Sequence, residues 1–117
     1  MDLLDGFSET ELRRLLGNDL PTSAASAWLP DAAREFRSFL CTTSAAYADL
    51  RSGWRALRDE SVAAAAAALA AAIAARIGIS PAVVTPVVIS LLLSAVRLGS
   101  RTVCRHLEHG DVVSALQ

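Results

Sequence analysis

The stretch IGISPAVVTPVVISLLLSAV, residues 77–96, decides the fold, because twenty consecutive residues carry no charge. Ser80-Pro81 fits a helix start, with serine as cap and proline at the first position, where its missing N–H is not needed. Positions 83–93 are apolar on nearly every side. A helix that is apolar all round is either enclosed by other helices or lies in lipid. About 20 such residues suffice to cross a bilayer. Ala82, Pro86, Ser90 and Ser94 recur four apart, a small-residue spacing that lets helices approach closely in either setting.

Several features weigh against a span. Pro81 and Pro86 interrupt the run, with Ser80, Thr85, Ser90 and Ser94 among its apolar residues. No aromatic residue follows Trp54, so there is no interfacial belt. Arg76 and Arg97 bracket the run evenly. The first reading is therefore a soluble core helix, part of whose surface meets another copy. The second is membrane insertion, stable or conditional. A strand is excluded by the prolines. Pro86 lies deep for a first-turn proline, so it either kinks the helix or delays its regular start to near Thr85.

Downstream, the helix is expected to run through Arg97, Arg101 and Arg105 to about residue 109, with 110–117 as a tail. These three arginines are four apart and form a basic stripe suited to anionic lipid headgroups or an acidic partner. The plainer reading is a solvated face paired with acids such as Asp49, Asp59 or Glu108. Upstream, 61–77 is almost pure alanine, with Leu69 and Ile73 as larger anchors. Alanine is the best helix former, and the resulting helix is thin.

Leu29, Ala33, Phe36, Leu40, Thr43, Tyr47, Leu50, Trp54 and Leu57 alternate four and three apart, a heptad stripe. It predicts a helix over 31–58, opened by Pro30 and Asp31. Thr42-Thr43-Ser44 has poor helix propensity, but the stripe keeps its phase there, so a bend is expected rather than a break. Phe36, Leu40, Tyr47, Leu50, Trp54 and Leu57 are the candidate helix-packing or partner-interface residues. Tyr47 and Trp54 are large for a tight dimer seam and suit a bundle core. Further back, Ser8-Glu9-Thr10-Glu11 is a capping box for a helix at 9–16 bearing Leu12, Leu15 and Leu16, and Gly17-Asn18 stops it. Residues 1–22 form an acidic N-terminal segment.

The bulk numbers agree with a single domain over 1–117. The chain is 53% apolar and 20% charged, which excludes disorder throughout. Two cysteines do not make a disulfide scaffold. A net charge of -1, without aromatic residues beside the arginine stripe, argues against nucleic acid. The 23 alanines, and basic residues that are all arginine, point to a GC-rich bacterial genome. Residues 1–31 hold six acids against two arginines, a charge of -4, whereas 32–117 hold nine arginines against six acids, +3. The acidic segment is thus suited to dock on the basic body, within the chain or between copies. The N-terminus lacks a basic n-region, so the expected location is cytoplasmic, with membrane association as the alternative, and Cys41 and Cys104 are expected to be reduced.

Chemistry-bearing constellations are thin. Cys104, His106 and His109 do not converge on one helix face, so no metal site is assigned. Nothing orients Cys104 as a nucleophile. No phosphate loop, dinucleotide fingerprint, zinc-protease motif or nucleophile elbow is present. No catalytic residue, cofactor or metal is therefore expected. The sequence predicts an all-α bundle of about four helices, with the hydrophobic C-terminal helix at its centre. The expected function is that of a non-enzymatic bacterial interaction protein, self-associating, serving as an adaptor or accessory subunit. The alternative is a membrane-anchored or conditionally inserting protein that uses 77–96.

Overall fold

A computed structural model describes residues 7–16 and 27–108. The helices are α1 (Glu9–Leu16), α2 (Leu29–Cys41), α3 (Ala48–Glu60), α4 (Val62–Ile77), α5 (Pro81–Leu98) and α6 (Ser100–Glu108). A 3-10 turn, Ala45–Tyr47, precedes α3. No strand occurs among the described residues, so the fold is all-α. The count is six rather than four, because both long predicted helices divide. The predicted tail at 110–117 and the Gly17-Asn18 stop lie outside the described residues.

The expected bend within 31–58 is a break. Thr42 Oγ1 donates to the Ser38 carbonyl at 2.7 Å, and Thr42 itself is extended at φ -128, ψ 173. Arg51 Nη1 donates to the Ser38 and Phe39 carbonyls at 3.1 Å each, and Nη2 donates to the Ser44 carbonyl. These donors satisfy carbonyls at the end of α2 that have no partner inside the helix. The chain can therefore leave the helix and restart as the 3-10 turn, where Ser44 Oγ accepts the Ala46 amide at 3.3 Å. Heptad phase could not reveal this, because the phase persists across a short interruption.

The predicted helix over 81–109 also divides, at Gly99. Its φ of 91 with ψ 145 is a conformation that L side chains rarely adopt, and its amide closes α5 on the Ala95 carbonyl at 2.9 Å. The start of α5 differs in detail from expectation. Ser80 occupies the cap position, but its side chain makes no cap bond; its carbonyl accepts from Val83 and Val84 at 3.0 and 3.2 Å. Pro86 lies inside the helix, so the regular start is not delayed. The carbonyl left without its donor belongs to Ala82, an exposed residue that water can serve.

The other ends are closed by local groups. Ser8 Oγ accepts the Glu11 amide at 3.3 Å, and Ser61 Oγ accepts the Ala64 amide at 2.9 Å. Gly78 adopts the left-handed conformation, and the amides of Gly78 and Ile79 both reach the Ala74 carbonyl, at 2.9 and 3.2 Å.

In the core, α5 packs against α4, α1, α6 and α2. Val84, Val87, Val88, Leu91 and Leu92 of α5 are almost wholly buried, as are Ala65, Leu69, Ala70 and Ile73 of α4. Leu12 of α1 is fully buried as well. An aromatic group closes the α3 side. Phe7 stacks on Trp54 at 5.5 Å between ring centroids, and Phe39 meets Trp54 edge-on at 4.8 Å.

Cys41 and Cys104 form a disulfide, with Cα atoms 5.8 Å apart and 63 residues of sequence separation. This corrects the expectation of reduced thiols. That expectation rested on compartment alone, whereas the packing of α6 on α2 brings the two side chains together. Closing a loop of this length contributes about 4 kcal/mol in the chain-entropy account.

Candidate functional site

The six stripe residues lie in or against the chain's own core. Phe36, Tyr47 and Trp54 are buried at 0%, 2% and 2% exposure, and Leu40, Leu50 and Leu57 are partly buried against them. Phe39, one position off the heptad, is fully buried, and so is Ala32. The stripe is thus wider than a coiled-coil seam, as a helix in a globular bundle requires.

The three arginines do not share one face of one helix. Arg97 closes α5, while Arg101 and Arg105 lie exposed on α6 beyond the Gly99 corner. Arg97 Nε sits 3.4 Å from Glu9 Oε1, which also pairs with Arg13 at 2.8 Å. The acidic N-terminal region therefore meets the basic body within the chain at this point. The contact is exposed and worth well under about 1 kcal/mol.

Cys104 is bonded to Cys41, so it is neither a free thiolate nucleophile nor a metal ligand in this state. His109 lies outside the described residues. Among the described residues no group of three His, Cys, Asp or Glu side chains is placed to hold a metal ion.

A polar hub appears that the sequence did not announce. Tyr47 Oη donates to Glu35 Oε1 at 2.7 Å, and Arg76 Nε donates to the same oxygen at 2.6 Å. The Arg76 guanidinium also stands 5.8 Å from the centre of the Tyr47 ring. Burial of the phenol, helped by the Glu35 carboxylate, pushes the Tyr47 pKa far above its ordinary value, with Arg76 opposing. The hub joins α2, the 3-10 turn and the end of α4. Glu35 and Arg76 are 41 residues apart, so no local spacing could have paired them.

Two features stand out on α5. Ser90 Oγ is buried and has no hydrogen-bond partner among the described residues. At the N-terminal end of the helix, a shallow groove of about 290 Å³ is lined by Leu15 and Leu16 of α1 and by Ala82, Thr85, Pro86 and Ile89 of α5. Leu15 is 37% exposed and Val83, next to Ala82, is 50% exposed. This end of the α1–α5 pair is an apolar surface facing water. Its lining side chains are aliphatic apart from one hydroxyl, Thr85, whose Oγ1 donates to the Pro81 carbonyl at 2.6 Å. Among the described residues no Asp, Glu, His or Cys lines it.

No protein-family model, curated protein or solved structure matches the chain.

Proposed function

We propose that the protein is a non-enzymatic interaction protein of a bacterium that self-associates, as an adaptor or accessory subunit. The observation that carries this reading is the groove lined by Leu15, Leu16, Ala82, Thr85, Pro86 and Ile89, with Leu15 37% exposed. The occupant is a second copy of this chain. The charges support that choice: residues 1–31 carry -4 and 32–117 carry +3, so two copies can meet with complementary fields. In this reading Phe36, Leu40, Tyr47, Leu50, Trp54 and Leu57 pack the bundle that presents the surface. In this reading the protein acts from the cytoplasm, whose thiol pool works against the Cys41–Cys104 bond.

Light scattering at micromolar concentration tests the reading. A dimer or larger species is expected, and Leu15→Arg should return it to monomer. A wild-type monomer at that concentration contradicts the proposal.

One observation favours a second reading. α5 is 18 residues long with a mean hydropathy of 1.9, enough by length and composition to cross a membrane, and half of it is buried in the bundle. A conditional insertion would peel α1 from α5 and set Arg97, Arg101 and Arg105 toward anionic headgroups. Leakage from anionic liposomes that Leu92→Arg abolishes would support it. Intact liposomes would count against it.

A further inference from the structure

The Cys41–Cys104 bond encloses much of the fold. It joins the last residue of α2 to the middle of α6 across 63 residues of sequence, which hold the 3-10 turn, α3, α4 and α5. Most of the buried apolar side chains lie inside that loop, among them Trp54, Leu69, Ile73, Val88, Leu91 and Leu92. The helices outside it lean on it. α1 packs chiefly on α5, and α2 packs on α6 and α4. Every helix is therefore inside the loop, tethered by the bond, or packed against a helix inside it. The core so enclosed is lean. Ala65, Ala66, Ala70 and Ala74 make up much of the buried face of α4, and alanine buries little area. Ser90 adds a buried hydroxyl with no partner among the described residues. Domains are marginally stable in general, so one restraint on a loop of this length is a large share of the whole.

We propose that Cys41–Cys104 is a redox control on the whole bundle: a dithiol reductant opens the bond, and the open chain uncovers α5 about a thousandfold more often than the closed one. One thiolate of the dithiol attacks a sulfur of the bond, forming a mixed disulfide and expelling the other cysteine as a thiolate, which takes up a proton. The second thiol of the reductant gives up its proton and displaces the remaining cysteine, which is protonated in turn. Two electrons and two protons pass to Cys41 and Cys104, and the dithiol becomes a disulfide. Both cysteines are half-buried rather than sealed in the core. The bond acts by restricting the unfolded chain, so its loss changes how often the bundle comes apart, not how its helices sit when closed. What comes apart is the wrapping of α5, whose 18 residues have a mean hydropathy of 1.9. A reducing compartment thus holds α5 loosely, and an oxidising one locks it in. This goes beyond the self-association reading and does not rest on it.

Amide hydrogen exchange on the full chain, oxidised and then reduced with dithiothreitol, tests the proposal. Reduction should speed the slowest amides of α3, α4 and α5 alike by about a thousandfold. The urea midpoint should fall in step, or the helices should be lost already without urea. Replacing both cysteines, Cys41→Ser with Cys104→Ser, should reproduce the reduced behaviour and remove any response to dithiothreitol. Acceleration confined to 100–108 would overturn the proposal, because the bond would then be a local clasp. So would unchanged exchange in α4 and α5, or a response to dithiothreitol that survives in the serine variant. Light scattering on the oxidised sample reads self-association separately.

Discussion

α4 and α5 are both apolar along nearly their whole length, yet they serve the bundle in opposite ways. α4 is buried on one stripe, Val62, Ala65, Ala66, Leu69, Ala70, Ile73 and Ala74, and its outer alanines face water. α5 is buried nearly all round over Val87–Leu92, with Val83 and Leu98 exposed at its two ends. Uniform apolar composition therefore does not fix how a helix is used. α4 contributes a smooth face that lets a neighbour approach, and α5 contributes the bulk that fills the space so opened.

The largest test of that contrast removes bulk from α5. Leu92 has no exposure, so Leu92→Ala should lower the unfolding free energy by about 3 kcal/mol in urea titration. The converse change adds bulk to the smooth side. Ala70 is also fully buried, and Ala70→Leu should cost about 2 kcal/mol through overpacking. A neutral result there would mean that α4 is not held close to its neighbours.

The two helix ends sharpen the comparison. Gly78 ends α4 at φ 75, ψ 30, and Gly99 ends α5 at φ 91, ψ 145, with nothing within 4 Å of an added Cβ at either. Any cost is therefore in the backbone. Gly99→Ala should destabilise by about 2 kcal/mol and Gly78→Ala by about 1 kcal/mol, since the left-handed helical region is the less forbidden of the two. A smaller change of opposite sign is expected inside α5. Ser90→Ala removes a buried hydroxyl that has no partner among the described residues and should raise stability by about 1 kcal/mol.

The smallest effect lies outside both helices and serves as a control. Tyr47 is the single tyrosine, so tyrosinate absorbance reports it alone. Its pKa is raised in the folded state, above the unfolded value of 10.0, so its contribution to stability is complete below that pH and declines as pH rises above it. Alkaline titration should show no tyrosinate at the midpoint of free tyrosine while the helices persist.

Much of this was legible in the residues. The Ser8 cap, the alanine helix and the burial of Phe36, Tyr47 and Trp54 follow from local chemistry and period. Three features were not. The break after α2 depends on Arg51 reaching back across the turn to the Ser38 and Phe39 carbonyls. The Gly99 corner depends on a backbone angle that a lone glycine in an apolar run does not advertise. The Cys41–Cys104 bond and the Glu35–Tyr47–Arg76 hub depend on tertiary packing between distant elements. For the surface, the sequence marked α5 as under-covered, and the structure places α1 over part of it and leaves the groove between Leu15 and Ile89 open.

The central claim is that α5 is a core helix of a bundle that meets its partner in water, not in lipid. Ultracentrifugal fractionation of cells producing the full chain tests it most directly. The account predicts recovery in the high-speed supernatant without detergent. Recovery with the membranes, released only by detergent and lost on Leu92→Arg, would contradict it.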